Sequence, residues 1–354
     1  MKQLVLNGSS YSRGREQAAS AMAAQVRAAT VARVEQARAD GLFDAEAMGF
    51  LAAQHAFHTQ HSPEGMAELL GIAEGFGLAE PDLFAHLHLG TLRDRKGGAK
   101  LVDGCSAWAV ADGPDGPMLA KNRDFSGQHL GIQTVAHHTG PDIATGGLLC
   151  VGSLGSPGAY SSGINARGLA LADTQVAVAT HRVGWLRYFL MTRLLARCAT
   201  VTEALALLRA VPHTGGGTLI MADKSGDLAA VELGAARVTV TRGTPVWRTN
   251  HYVTSELADD TLPPATDSIA ANSRLRFDFL SRTLPTRVWS RASAARLMAT
   301  HDDHMHPAAP ICQHAVADGA QTISSAVYSC NLQQLEFCEG NPCIGNWQTI
   351  PLPA

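Results

Sequence analysis

The stretch LVDGCSAWAV, residues 101–110, sets Gly104 directly before a cysteine that opens a strand-like run. Cysteine is among the most often buried residue types, so core packing is the ordinary reading of any single one. The place of Cys105 argues for more, because the chain changes texture there. Before it, the sequence reads as nearly all helical. Residues 15–39 are alanine-rich with scattered charges and end at Asp40-Gly41, which predicts one long helix. Residues 45–60, 62–75 and 83–94 predict three more, and Ser62-Pro63 supplies a cap followed by proline at the first helical position.

After Leu101 the runs are short, apolar and punctuated by glycine and proline. SAWAVAD, PMLAKNR, IQTVAHHT, GGLLCVGS, AYSSGI and LALADTQV read as six strands, with a turn at Asn165-Ala166-Arg167-Gly168. Helices are predicted over 185–197 and, behind the capping-box sequence Thr200-Val201-Thr202-Glu203, over 201–210. TLIMAD, LAAVEL, RVTVT and PVWRT return to strand, and residues 256–270 read as a loop. Helices over 272–283 and 290–300 precede a closing hairpin of TISSAVYS and LQQLEFCEG. Helices, strands, helices, strands define a layered α+β domain with antiparallel sheets.

Composition narrows the partners. Of 354 residues, 46% are hydrophobic and 17% charged, enough for a large core and contrary to disorder. A net charge of -3 without a Lys/Arg block argues against nucleic acid. No apolar run reaches the roughly 18 residues of a membrane helix, and the N-terminus lacks a signal-peptide core, so no membrane partner and a cytoplasmic location are expected. The seven cysteines are irregularly spaced and form no CxxC pair, which excludes zinc-ribbon and thioredoxin patterns and disfavours a disulfide framework.

SAWAVADGPDGPMLAKNRDF predicts a hairpin turning at Gly113-Pro114-Asp115-Gly116. A turn centred between Pro114 and Asp115 would set Asp124 directly opposite Cys105, with Cβ atoms about 4.5–5.5 Å apart. A buried carboxylate needs a cationic or hydrogen-bonding partner. A thiolate nucleophile usually needs a histidine or a helix N-terminus, and neither is evident beside Cys105. Scission of the Gly104–Cys105 bond would supply another activator. The new α-amine, of pKa about 7.7–8.0, could take the thiol proton. Asp124 would then hold the ammonium. Gly104, free of Cβ, could adopt the strained dihedrals that bring sulfur to the preceding carbonyl.

Several further motifs join this one. They are NGSSYSRGREQA near the N-terminus, ELLGIAEGFG at 68–77, DGCS, KNRDF, GINARGLAL, TNHY, and the C-terminal HMHPAAPICQH and TISSAVYS. In this order they resemble the penicillin acyltransferase (isopenicillin N acyltransferase) family of N-terminal-nucleophile cysteine hydrolases, over almost the whole chain. The resemblance implies a four-layer αββα sandwich. It implies a helical fragment, 1–104, that stays associated with a fragment 105–354 carrying the nucleophile. Cys105 would be both the self-cleaving and the catalytic residue, Asp124 would bind its amine, and Asn250 would help form the oxyanion hole. Arg274, in ANSRLRF, matches an arginine near the nucleophile. Thr174, Arg123 and Phe125 fall at substrate-facing positions. They also depart from the family pattern, where asparagine, an aromatic residue or methionine, and tryptophan respectively are common.

The expected activity is hydrolysis of a linear N-acyl amide through a Cys105 acyl-enzyme, with no cofactor. Acyl transfer from a thioester to an amine is the alternative. A reading from another class is a non-catalytic metal- or ligand-binding protein using HDDHMH, in which His301, Asp302, His304 and His306 would be the ligands, although the spacing fits no standard site.

Overall fold

A computed structural model of the chain describes residues 2–98, 104–264, 269–301, 311–314 and 319–352. Fourteen strands among these residues form two sheets. The larger has eight strands in the order β1 (Lys2–Asn7), β4 (Gln133–Thr139), β5 (Leu148–Ser153), β6 (Ser162–Asn165), β7 (Ala170–Thr174), β8 (Thr218–Ala222), β9 (Leu228–Leu233) and β10 (Val238–Arg242). The smaller has six, in the order β11 (Val246–Arg248), β2 (Gly104–Val110), β3 (Met118–Ser126), β12 (Ala320–Ser329), β13 (Gln334–Glu339) and β14 (Gln348–Pro351).

Period-two alternation stacks these sheets. Ala107, Ala109, Leu119, Ala326, Tyr328 and Phe337 of the smaller sheet meet Val135, Leu149, Val151, Ile164, Ala172 and Ile220 of the larger. The opposite face of the larger sheet buries Leu148, Cys150, Leu171 and Met221 against helices. Those helices are α2 (Ala23–Ala39), α3 (Ala45–His61), α4 (Pro63–Phe76), α5 (Glu80–Leu87), α7 (Arg187–Arg197) and α8 (Val201–Arg209). Trp108, Val110, Met118, Ala120 and Val327, on the outer face of the smaller sheet, pack on α9 (Ser273–Thr283) and α10 (Arg291–Met298). The result is the expected αββα sandwich.

Five expectations change. The helix predicted over 15–39 is broken: α1 (Ser10–Glu16) and a 3₁₀ turn precede α2, and Ser20 lies in extended conformation between them. The break lets α1 cross α4. A Cβ on Gly71 would stand 2.1 Å from the Tyr11 carbonyl oxygen, and one on Gly14 would stand 2.1 Å from that of Glu68. The helix predicted over 83–94 is likewise two, α5 and α6 (Leu89–Arg95). The N-terminal segment is not wholly helical, since β1 joins the larger sheet, and the sheets are not wholly antiparallel, since β1 pairs with β4 in parallel. A parallel pair needs a long crossover, here the chain between residues 7 and 133. Lastly, β14 extends the closing hairpin to a third strand. No described helix is long and apolar enough to cross a membrane.

Candidate active site

Cys105 is the second residue of β2 and is buried, 6% exposed. Its register differs by one from the expected pairing. Cys105 faces Arg123 and Gly104 faces Asp124, so the hairpin is centred on Pro114. The reason lies in the turn. Gly116 N–H closes it on the Gly113 carbonyl at 3.0 Å, with Gly116 at positive φ, and two residues flank this turn before it but one after it. Gly104 also differs from expectation. Its φ lies outside the left-handed region, and glycine is needed there for space, because a Cβ would stand 2.1 Å from Ile269 Cγ2.

Asp124 therefore lies beside the Gly104–Cys105 link rather than directly across from the thiol. Its Oδ1 accepts a 2.6 Å hydrogen bond from the Thr322 hydroxyl. Its Oδ2 has no hydrogen-bond partner among the described residues and lies 3.1 Å from where a Cβ on Gly104 would stand. Burial raises the Asp124 pKa to about 6, against the opposing pull of Arg276, the Thr322 hydroxyl and Lys121.

Asn250 follows β11 and reaches the nucleophile. Its Oδ1 accepts the Cys105 backbone N–H at 3.0 Å and an Arg276 Nη2 hydrogen bond at 2.6 Å, while its Nδ2 donates to the Gln175 carbonyl at 2.8 Å. With the Gly104–Cys105 bond intact, Asn250 thus acts as an acceptor toward Cys105 and its donor is engaged elsewhere.

The arginine at the nucleophile is Arg276. Arg274 is exposed, whereas Arg276 is fully buried and donates to the Cys105 carbonyl at 2.6 Å and to Ser106 Oγ at 3.0 Å. Its Nε also donates to Asn272 Oδ1 at 2.6 Å. The signal was helical periodicity, since Ser273, Arg276 and Leu280 form the buried stripe of α9 and Arg274 lies off it.

A cleft opens at Cys105, lined in part by Arg33, Arg123, Phe125, Tyr160 and Gln175. Arg123 enters it from the position facing the nucleophile. Its Nη1 donates to Gln133 Oε1 and Ser153 Oγ, both at 3.0 Å, and its guanidinium stands 5.0 Å from the Tyr160 ring centre. No carboxylate lies within salt-bridge distance of Arg123 among the described residues. Arg33 stands 4.5 Å over the Phe125 ring. Burial, reinforced by these two arginines, lowers His86 to about 3 and His129 to about 2, so both imidazoles are neutral near pH 7.

Thr174 is placed differently from its expected role. It is fully buried, and its hydroxyl bonds the Thr249 carbonyl and Thr218 Oγ1, so it braces the strand end that carries Asn250. Its neighbour Gln175 lines the cleft instead. Sequence reasoning also missed the cleft floor, where Asp173 binds Lys121 and Arg187. Burial acts to raise the Asp173 pKa, but the two cations outweigh it and the pKa is lowered.

This chemistry yields a pH prediction. The folded pKa of Asp124, about 6, exceeds its ordinary value of 3.8. The group's contribution therefore favours folding below about pH 4 and is lost as pH rises through about 6, a cost of about 3 kcal/mol at neutrality. In a Cys105→Ala background, Asp124→Asn is expected to raise stability at pH 7 relative to the parent and to give no such gain at pH 4. Urea unfolding at the two pH values checks this, and equal differences would exclude the assignment.

The four-layer architecture is the N-terminal-nucleophile hydrolase fold that the resemblance implied. A family model described as acyl-coenzyme A:6-aminopenicillanic acid acyl-transferase matches residues 111–343, and the chain belongs to that family. The matched span begins just after β2. No curated protein sequence matches the chain. Solved structures similar to it include a mutant conjugated bile acid hydrolase from Clostridium perfringens, 11% identical, covering 69% of this chain and 96% of that one with a TM-score of 0.41. A second variant of that hydrolase is 12% identical, with coverage of 70% and 97% and a TM-score of 0.44. A penicillin V acylase from Agrobacterium tumefaciens is 16% identical, with coverage of 70% and 86% and a TM-score of 0.40.

Proposed function

We propose that the chain cuts itself between Gly104 and Cys105 and then works as a cysteine amidase on a linear N-acyl amide. The observation that carries this reading is the bonding around one residue. Asn250 holds the Cys105 nitrogen, Arg276 holds its carbonyl, and the Asp124 oxygen that has no hydrogen-bond partner among the described residues lies against Gly104. Fragments 1–104 and 105–354 would remain together, because β1 of the first belongs to a sheet whose other strands come from the second.

After scission the α-amine of Cys105 takes the thiol proton, and Asp124 orients the resulting ammonium. Sulfur attacks the acyl carbonyl, and the developing oxyanion meets Asn250 Nδ2, freed from Gln175, and nearby backbone N–H groups. The ammonium returns its proton to the leaving amine. Water then attacks the acyl-enzyme and gives the carboxylic acid. Arg123, a buried cation with neutral partners, and Arg33 favour a substrate bearing an anionic group near the scissile bond.

A second reading is acyl transfer from a thioester to an amine. The matched family, described as an acyl-coenzyme A-dependent acyl-transferase, favours it. Intact mass spectrometry of freshly purified protein tests the common core, with two fragments expected. Exposure to an N-acyl amino acid and to an acyl thioester should each add an acyl mass to the fragment beginning at Cys105, and an added amine decides between hydrolysis and transfer. A single uncut 37.3-kDa chain that still performs its reaction would overturn the proposal, and an uncut chain without activity would favour the binding-protein reading.

A further inference from the structure

The histidine run at 301–306 takes another meaning in three dimensions. Asp302, His304 and His306 lie outside the described residues. Beside His301 the fold brings His314, Cys312 and Cys343, from three separate segments: the end of α10, residues 311–314, and the turn between β13 and β14.

Cys312 Sγ and Cys343 Sγ are 3.6 Å apart. His314 Nε2 is 3.4 Å from Cys343 Sγ and 4.0 Å from Cys312 Sγ. One ligand atom each of His301, His314 and Cys343 lies within 4.8 Å of the others, and the two rings are 5.0 Å apart at an angle of 62°. Zinc binds sulfur at about 2.3 Å and imidazole nitrogen at about 2.0–2.1 Å, so a tetrahedron around it has edges of about 3.8 Å between sulfurs and about 3.6 Å between sulfur and nitrogen. The separations among Cys312, His314 and Cys343, 3.4–4.0 Å, lie close to those edges, and His301 stands farther out, within 4.8 Å of His314 and Cys343. The sulfur–sulfur separation does not match a disulfide, whose sulfurs lie about 2.05 Å apart.

We propose that His301, Cys312, His314 and Cys343 form a structural zinc site. Two thiolates and two imidazoles in a tetrahedral set select zinc among the common divalent ions and leave no open position for substrate. Outer contacts suit the assignment. Asn341 Nδ2 donates toward Cys312 Sγ at 3.6 Å and to the Gln313 carbonyl at 2.6 Å. His301 Nδ1 lies 3.4 Å from the Ala299 carbonyl, which holds a proton there and leaves Nε2 to ligate.

The ion would clip the outer helical layer to the smaller sheet beside the nucleophile. Gln313, between the two ligands Cys312 and His314, donates its backbone N–H to Thr322 Oγ1 at 2.8 Å, the hydroxyl that donates to Asp124. Its side chain accepts from Asn272, whose Oδ1 accepts from Arg276. Filling the site would therefore steady both groups that flank Cys105.

Metal analysis of the full chain, purified under reducing conditions without chelator, tests this. One zinc per chain is expected. Apo protein reloaded with Co²⁺ should show the visible bands of a tetrahedral thiolate site, and added Zn²⁺ should raise the unfolding temperature. Cys343→Ser should weaken Zn²⁺ binding by about 10²-fold or more in a chelator competition. Should that variant fail to fold, His314→Ala, at an exposed position, carries the same test. Cys198→Ser, far from the cluster in sequence and space, should bind as the parent does. Substoichiometric zinc that Co²⁺ or Zn²⁺ cannot raise overturns the proposal. So does equal affinity in Cys343→Ser or His314→Ala, or a Cys312–Cys343 disulfide in protein that takes up no metal.

Discussion

Replacement of Cys105 by alanine is expected to leave a single 37.3-kDa polypeptide that does not turn over its substrate. The rate should fall by about 10⁶, the order lost when the nucleophile of an acyl-transfer enzyme is removed. The substitution deletes one sulfur and little else. Asn250 and Arg276 bind the backbone nitrogen and carbonyl of residue 105, and alanine keeps both atoms. The folded site should therefore survive, and loss of activity would reflect chemistry. Cys105→Ser, which keeps a weaker nucleophile, is expected to cut itself slowly and to accumulate both fragments over time. A denaturing gel and a turnover assay on the same preparations read both effects. Two fragments in the alanine variant, or turnover near that of the parent, would show that some other group attacks.

Most elements of this fold were legible to within a few residues, β1, β14 and the breaks that divide the helices predicted over 15–39 and 83–94 excepted, while the site depends on single-residue register. One residue along a strand turns a side chain to the other face. That is the difference between Asp124 facing Cys105, as the turn composition predicted, and Asp124 facing Gly104, as the ladder places it. Thr174 and Gln175 differ in the same way: one hydroxyl braces the strand end and the next side chain lines the cleft. On α9 two residues separate an exposed arginine from a buried one, and the motif pointed to Arg274 where the helix's buried face carries Arg276. Other features were hidden because their partners lie far away in sequence. Nothing local to Lys2–Asn7 reveals pairing with Gln133–Thr139. The approach of Cys343 to residues 301 and 312–314 likewise depends on how β13 and β14 turn. What was legible was the break in texture at residue 101, the order of the motifs and the cysteine at the head of a strand, because these are local patterns.

Arg276→Met is expected to cost nearly as much as loss of the nucleophile's support can. The guanidinium is fully buried and donates to the Cys105 carbonyl, Ser106 Oγ, Asn250 Oδ1, the Ile269 carbonyl and Asn272 Oδ1. Methionine matches its stem but offers no donor, so several buried oxygens lose partners and Asp124 loses the cation that most opposes its burial. Breaking such an arrangement costs about 3–5 kcal/mol of stability. Turnover should drop by about 10²–10³, the usual effect of removing one polar group that stabilises reacting atoms. A second readout separates positioning from mere folding. Arg276 holds the Asp124 pKa down, so its loss must raise that pKa further, and the acid limb of the self-cleavage rate should move to higher pH. Lysine at 276 restores charge but one point donor cannot span the same oxygens, so it should recover the limb more than the rate. Arg274→Met, at an exposed position on the same helix, should stay within about 0.5 kcal/mol of the parent and keep its turnover. Equal losses at 274 and 276, or an acid limb unmoved in Arg276→Met, would mean that the buried arginine supports the helix and does not tune the carboxylate beside Cys105.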